Sequence, residues 1–220
     1  MVLATPLTAA EGDALAQRIA AVESRTGTQI VTLLVAKSDA YAELPWIAFA
    51  LGASLAAFSV VLFDLLSPDW GTKYFLLSGA VAILGAGAAL ALLAIFVPAF
   101  ARIFLREARV AVEVRQYAES QFLARELFLV SGRTGILILA SLFERRIELV
   151  ADTGYAGRVR PEDWHVVVAR MTPLLHAGRI ADALHEGVAA LQELLVSTGF
   201  PGGAEAATSF PERPIVASGP

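Results

Sequence analysis

The sequence predicts an α/β domain that is interrupted by a two-helix membrane hairpin. Two uncharged stretches, Pro45–Phe63 and Tyr74–Ala101, lie inside a chain whose remaining residues have the composition of a globular protein. Each stretch is long enough to cross a hydrocarbon core, which takes about 20 helical residues. Helices and strands lie on both sides of these stretches, and neither side alone can bury its apolar faces. We therefore expect one discontinuous domain (residues 1–43 and 102–200), a hairpin (residues 44–101) and a disordered tail (residues 201–220).

Composition excludes several classes of protein. Of the 220 residues, 56% are hydrophobic and 17% are charged, which is too apolar for an ordinary soluble domain. The absence of cysteine excludes disulfides, zinc–thiolate sites and thiol catalysis. The net charge of −4, without a dense basic patch, predicts that nucleic acid is not a partner. The first residues carry Glu11, Asp13 and Arg18 rather than a basic and then apolar leader, so we expect no cleavable signal peptide.

The segment before the first uncharged stretch predicts one helix and one strand. Apolar residues recur at helical spacing within Thr8–Arg25, with Thr5 or Thr8 as the N-cap and Gly27 after the C-terminal end. The following "TQIVTLLVA" is β-branched and apolar on both faces. This pattern is typical of a central strand in a sheet that is covered on both sides.

The two uncharged stretches predict membrane spans at about residues 45–66 and 74–100. The connection Asp64–Tyr74 contains one basic residue, Lys73, whereas the outer flanks contain five, namely Lys37, Arg102, Arg106, Arg109 and Arg115. The positive-inside rule then places the soluble domain and both termini in the cytoplasm, with the protein in the cell inner membrane. The spans are rich in Gly and Ala, which favours close packing within the hairpin over a separate oligomer interface.

The segment after the second span predicts a long amphipathic helix, two strands and two further helices. The strands are Gly135–Ser141 and Arg146–Asp152, and the four residues between them predict an antiparallel hairpin. Pro161 followed by acidic residues is typical of a helix start, and Gly199 with Pro201 ends the last helix.

Asp152 is the first candidate site residue. It follows an apolar strand and precedes Gly154, which permits a close approach or a positive φ. Ligands of α/β sheets bind at the carboxyl ends of strands, so Asp152 could coordinate a divalent metal or bind a phosphoryl-bearing ligand. The alternative is that Asp152 only caps the turn through its own backbone. The residues alone leave both interpretations open.

Asp39 and Tyr41 form a second candidate group after the first predicted strand. A carboxylate and a hydroxyl in a cysteine-free site suit Ca²⁺ or Mg²⁺, although a solvated loop is the simpler explanation of these two residues. We expect Glu144 to be exposed in the strand–strand turn and paired with Arg145 or Arg146. The three histidines, His165, His176 and His185, do not have metal-ligand spacing.

Three blocks of the sequence resemble the TPM domain family, which is named after a thylakoid-lumen phosphatase. They are "TGTQIVTLLVAKSDAY", "TGILILASLFERRIELVADTGY" and "HAGRIADALHEGVAALQELL". The resemblance implies a three-layer α/β/α sandwich. It also implies one of three roles: weak acid phosphatase, calcium binding, or assembly and repair of membrane complexes. The internal hairpin and the expected lack of a signal peptide set this chain apart from many members.

Two functional hypotheses follow. In the first, the chain is a membrane-anchored binding or assembly module whose partners are the lipid bilayer and another membrane protein. In the second, it is a metal-assisted phosphatase that uses Asp152 and Asp39 with Ca²⁺ or Mg²⁺. If the strand ending at Asp152 is parallel to the first strand, both carboxylates share one sheet edge close to the lipid headgroups. We therefore expect Asp39, Tyr41, Asp152 and Gly154 to line a common ligand site.

Overall fold

A computed structural model describes residues 7–66, 73–200, 213–217 and 219, and within these residues the chain is mixed α/β with seven α-helices and four strands. The helices are α1 (Ala9–Thr26), α2 (Glu43–Leu66), α3 (Lys73–Phe96), α4 (Pro98–Ala101), α5 (Glu107–Ala124), α6 (Pro161–His176) and α7 (Ile180–Ser197). The strands are β1 (Gln29–Val35), β2 (Gly135–Ser141), β3 (Arg146–Ala151) and β4 (Ile215–Ala217).

The chain divides into two compact units. One contains Met1–Asp39 and Val110–Pro220, and the other contains Ala40–Arg109. The first unit holds the whole sheet with α1, α6, α7 and most of α5. The second holds α2, α3 and α4. The divisions fall after Asp39 and before Val110, a few residues away from the expected boundaries at 43 and 102.

The sheet of the first unit is mixed, with strand order β3-β2-β1-β4. Strand β1 is parallel to β2 from Gln29 opposite Gly135 to Val35 opposite Ser141. The predicted hairpin is confirmed, since β2 and β3 are antiparallel. Strand β4 pairs in parallel with β1 on its other side. The expectation of a wholly disordered tail is therefore wrong for Ile215–Ala217, while residues 201–212 lie outside the described part of the chain.

The central strands are buried on both faces, as their apolar composition predicts. Every residue of β1 and β2 is buried. One face of these strands shares a hydrophobic core with α1, α6 and α7, to which Ile30, Leu34 and Ile138 contribute. Residues that alternate with these, such as Leu33 and Leu139, are equally inaccessible to solvent. Burying apolar surface of this kind is the main favourable contribution to folding.

The local signals at the start of the chain act as predicted. The hydroxyl of Thr8 accepts a hydrogen bond from the Glu11 backbone N–H, and the Glu11 carboxylate accepts one from the Thr8 N–H, which completes a capping box. Gly27 ends α1 with φ 65°, a conformation that costs little for glycine. Thr5, the other predicted cap, lies outside the described residues.

One predicted helix is divided in the structure. The segment after the second span was expected to form one long amphipathic helix, but α4 ends at Ala101 and a short 3₁₀ turn, Arg102–Phe104, follows it. Leu105 is extended, with ψ 129°, before α5 begins at Glu107. The buried residues of α5 recur every four positions: Val110, Val114, Ala118 and Phe122. The amphipathic pattern therefore predicted the correct buried face of α5.

Helices α2 and α3 of the second unit are long and apolar enough to cross a membrane, by length and composition. Within their most apolar windows only 11% and 17% of the residues are buried in the protein, whereas the core helix of a soluble protein is mostly buried. The two helices pack against each other through small residues. A Cβ atom on Gly52 would lie 2.6 Å from the carbonyl oxygen of Ala86, so this contact requires glycine.

Candidate binding site

Asp152 lies at the carboxyl end of β3, where a short 3₁₀ turn, Thr153–Tyr155, begins. Its side chain is 4% exposed. The Oδ1 atom accepts a hydrogen bond from the Thr153 backbone N–H at 2.7 Å, so Asp152 does cap the turn. The Oδ2 atom is also buried and has no hydrogen-bond partner among the described residues. One oxygen therefore has the structural role proposed as the alternative, and the other is buried without a hydrogen-bond partner among the described residues.

Arg133 is the cationic partner of Asp152 and was not identified from the sequence. Its Nη2 atom lies 3.1 Å from Asp152 Oδ1. Its Nη1 atom donates to the carbonyl oxygen of Phe128 at 3.0 Å, and its Nε atom donates to the Thr153 hydroxyl at 3.3 Å. The Asp152 N–H donates to the Gly135 carbonyl at 3.0 Å, so the hairpin register brings the residues just before β2 next to Asp152. The register of the predicted hairpin was the signal that could have identified Arg133.

Gly154 makes a close backbone approach, one of the two roles predicted for it. A Cβ atom at this position would lie 2.4 Å from the carbonyl oxygens of both Gly132 and Arg133. Gly154 is not among the residues with positive φ, whereas Gly132 and Arg133 both are, at 71° and 57°. A side chain at residue 154 would therefore displace the turn that positions the Arg133 guanidinium.

Tyr155 forms the apolar side of the site. Its ring packs edge-on against Trp164 at a centroid distance of 5.3 Å and lies 4.9 Å from the Phe200 ring. Its hydroxyl donates to the carbonyl oxygen of Thr134 at 2.9 Å. Burial raises the pKa of the Tyr155 phenol, which keeps it neutral. Tyr155 therefore anchors the turn to the core through its ring contacts and its hydroxyl.

A cavity of about 660 Å³ extends along β3 from Arg146 to Asp152. Its walls come from α5, through Ala111 and Val112, and from α6, through Trp164 and Val168. This volume lies within the range of about 300–1,000 Å³ that is usual for binding sites. Strand β3 is an edge strand of the sheet, so the cavity lies along an edge that the other strands do not cover.

Three charged residues of the cavity, Arg146, Glu148 and Asp152, lie on one face of β3, and a fourth, Arg115, belongs to α5. The Glu148 side chain is 14% exposed; its Oε1 atom lies 3.5 Å from Arg115 Nη1 and its Oε2 atom lies 3.9 Å from Arg146 Nε. Burial is the largest influence on Glu148 and raises its pKa, although Arg146 and Arg115 act in the opposite direction. Glu119 raises the pKa further and His165 lowers it, both more weakly.

We expect the substitution Glu148→Gln to change the pH dependence of stability. Because the folded-state pKa is raised, the stabilisation linked to proton binding is complete below the ordinary value of 4.5 and is lost as the pH rises through the folded-state pKa. The free energy of unfolding of the wild type, relative to Glu148→Gln, should therefore decrease from pH 4 to pH 7. Urea unfolding across this range measures it, and a difference that increases with pH would contradict the direction of the shift.

The expected common site of Asp39 and Asp152 is wrong. Strand β3 is antiparallel to β2, and β2 is parallel to β1, so the carboxyl end of β3 lies at the amino end of β1. Asp39 follows β1 at the opposite end of the sheet. Tyr41 belongs to the other compact unit and is buried, at 3% exposure, instead of lying in a solvated loop. Of the predicted ligand-binding residues, the structure brings together only Asp152 and Gly154.

Glu144 is also not the exposed residue that was expected. Its Oε1 atom accepts a hydrogen bond from the Ser38 backbone N–H at 2.8 Å, and its Oε2 atom accepts one from the Ser141 hydroxyl. Glu144 therefore connects the chain after β1 to the turn after β2, at the sheet end opposite Asp152. This is a structural role that joins the two halves of the discontinuous unit.

The Asp152 corner does not fit Ca²⁺ or Mg²⁺. Ca²⁺ takes six to eight oxygen ligands and Mg²⁺ takes six, whereas Asp152 offers one buried oxygen without a partner and has a guanidinium 3.1 Å from the other. Across the described residues, no group of three or more His, Cys, Asp or Glu side chains is placed to hold a metal ion. The geometry instead suits a ligand that donates a hydrogen bond to a buried carboxylate oxygen.

Comparison with known proteins supports the fold alone. No protein-family model and no curated protein sequence matches the chain. The NMR structure of BA42 protein from the psychrophilic bacterium Bizionia argentinensis is similar, with a TM-score of 0.59 and 13% sequence identity over 99% of each chain. At this identity the likeness concerns the arrangement of the backbone. The class of protein that follows is a mixed α/β protein with two long apolar helices.

Proposed function

We propose that this chain is a TPM-like α/β domain, anchored in a membrane by α2 and α3, that binds a partner protein during assembly or repair of a membrane complex. The cavity beside β3, with its buried and incompletely paired Asp152, is the observation that carries the proposal. The blocks that resemble the TPM family include β1, the β2–β3 hairpin and α7. Buried residues on both faces of β1 and β2 fit a three-layer sandwich.

Binding is favoured over the alternative, a metal-assisted phosphatase. That hypothesis relied on two carboxylates and a divalent metal, and the two carboxylates lie at opposite ends of the sheet. Metal-assisted catalysis needs several ligands that converge on one ion, and among the described residues no group of three or more His, Cys, Asp or Glu side chains does so. A mainly apolar groove with a few polar groups is instead typical of recognition sites.

Membrane anchoring predicts a definite topology. The five basic residues of the flanks, against the single Lys73 at the start of α3, favour an orientation with both termini in the cytoplasm. We expect a cytoplasm-active reporter fused after Pro220 to be active and a periplasm-active reporter at the same position to be silent. Fusions within the α2–α3 connection should give the opposite pattern. Activity of the Pro220 fusion only in the periplasm would contradict the orientation.

Photo-crosslinking in native membranes tests the binding function. We expect a photoreactive residue in place of Val112, which lines the cavity and is 51% exposed, to capture one defined polypeptide. The matched control is the same residue in place of Leu123, which is 61% exposed on the same helix but does not line the cavity. Equal capture from both positions would contradict a specific site.

A phosphatase assay tests the alternative in the same preparation. We expect no hydrolysis of p-nitrophenyl phosphate that depends on Ca²⁺ or Mg²⁺ and is lost in Asp152→Asn. Asp39→Asn serves as the control, since Asp39 lies at the far end of the sheet. Metal-dependent hydrolysis that disappears only in Asp152→Asn would favour the enzyme over the binding module.

A further inference from the structure

We propose that the partner docks as an extended segment that adds a fifth strand to the free edge of β3, antiparallel to it. The segment carries a basic residue opposite Asp152 and, six positions later, an acidic residue opposite Arg146. This inference rests on the proposed binding function and specifies how the cavity is used. Such strand addition obtains its affinity from main-chain hydrogen bonds and its specificity from alternate side chains.

The backbone of β3 has hydrogen-bonding groups available for such a segment. In an antiparallel pair, alternate residues form the ladder, and the others direct their N–H and C=O groups to the opposite side. The Asp152 N–H bonds to Gly135, so the even-numbered residues of β3 pair with β2. The groups of Ile147, Leu149 and Ala151 therefore point to the free edge. Among the described residues, none of these three has a hydrogen bond on that side.

The cavity has the shape that an added strand requires. Its length follows the seven residues from Arg146 to Asp152, and α5 and α6 form its two walls. Exposed sheet edges are normally protected by charges, proline, bulges or a covering element. Here Arg146, Glu148 and Asp152 carry charges on one face of β3. On the other face, Ile147, Leu149 and Ala151 carry apolar side chains and belong to or pack against the core. Among the described residues, the edge is thus recessed between α5 and α6 and is not covered by another strand.

The two ends of the cavity carry polar atoms of opposite character that have no hydrogen-bond partner among the described residues. At one end, the buried Oδ2 atom of Asp152 is an acceptor without a donor among the described residues. At the other end, the Nε atom of Arg146 is a buried donor without a hydrogen bond, 3.9 Å from the nearest Glu148 oxygen. Arg115, 65% exposed, adds a second positive charge near Arg146. Buried polar atoms without partners are costly, which favours a ligand that pairs both.

The charge spacing defines the ligand. Arg146 and Asp152 are six residues apart, so both side chains lie on the same face of β3. On an antiparallel strand, the residues opposite them are also six apart and on that same face. A basic residue followed six positions later by an acidic one satisfies both ends. The residues between them that alternate toward Trp164 and Val168 of α6 should be apolar.

The test uses a fluorescent peptide, Lys-Val-Thr-Val-Thr-Val-Glu, capped at both ends, with the full chain in lipid nanodiscs. We expect saturable binding by fluorescence anisotropy. N-methylation of the fourth residue, whose N–H faces Leu149, should weaken binding at least about tenfold, because it removes a hydrogen bond and adds a steric block. N-methylation of the third residue, whose N–H faces away, should have little effect.

Two controls separate strand addition from other modes of binding. The reversed peptide, Glu-Val-Thr-Val-Thr-Val-Lys, keeps the composition and should bind at least about tenfold more weakly. The substitution Val112→Arg, at the exposed wall of the cavity, should abolish binding, while Leu123→Arg on the same helix should not. The proposal would be overturned if both N-methylated peptides bound equally well or if both peptide directions bound equally well. It would also be overturned if no peptide bound. If Val112 still captures a partner by crosslinking in that case, the binding function stands and only strand addition fails.

Discussion

Joining Asp39 to Val110 through a flexible linker of about 12 Gly and Ser residues, with a reach of roughly 20 Å, should give a domain that unfolds cooperatively. The segment Val110–Pro220 alone should not fold. Strand β1 lies between β2 and β4, and all seven of its residues are buried. Each of the five large apolar side chains in β1 contributes about 1.5–3 kcal/mol by burial, so the loss of the strand removes a free energy comparable to a typical total stability of about 5–15 kcal/mol.

Urea unfolding followed by circular dichroism measures both parts of this prediction. The linked protein should show one transition with the slope expected for a domain of its size. The segment without α1 and β1 should show no cooperative transition. If Val110–Pro220 were as stable as the linked protein, β1 would not be part of the core, and the discontinuous domain would be wrong.

The substitution Gly154→Ala should destabilise the first unit by about 2–3 kcal/mol, at the upper end of the usual cost of overpacking. The added Cβ atom would lie 2.4 Å from two backbone carbonyl oxygens, and backbone cannot move aside as a flexible side chain can. The turn at Gly132 and Arg133 must then shift, which removes the Arg133 guanidinium from Asp152. We therefore expect partner capture from Val112 to decrease along with stability.

Gly12→Ala is the matched control for Gly154→Ala. Gly12 lies in α1, and a Cβ atom there would have no atom within 4 Å. Alanine is favoured over glycine in helices by roughly 0.5–1 kcal/mol, so this substitution should leave stability unchanged or increase it slightly. The free energies of unfolding of the two variants provide the comparison. A decrease in the free energy of unfolding of less than about 0.5 kcal/mol in Gly154→Ala would show that the turn accommodates a side chain.

Elements with strong local patterns were predictable from the sequence. The helix α1 has a complete capping box at Thr8 and a glycine at its end, and both signals depend only on residues close in sequence. The β2–β3 hairpin follows from two apolar runs separated by four residues. The apolar character of α2 and α3 is a property of composition. Asp152 and Gly154 were identified because a carboxylate and a glycine directly follow a strand.

Long-range pairing was decided only in the tertiary structure. An antiparallel hairpin can add to β1 through either strand and in either direction. The observed direction, with β2 parallel to β1, places Asp152 and Asp39 at opposite ends of the sheet. Strand β4 has three residues, too few for a period to be recognised, and it forms because β1 offers an edge.

For the site around Asp152, some features could likewise be predicted from the sequence and others depend on the tertiary structure. Its position at a strand end follows from the sequence, because strand boundaries depend on local composition. Its partner Arg133 is 19 positions away and holds its place through hydrogen bonds to Phe128 and Thr153. The cavity requires α5, β3 and α6 together. Sequence patterns report the periodicity of single elements, whereas a site of this kind depends on how distant elements pack, which only the folded chain determines.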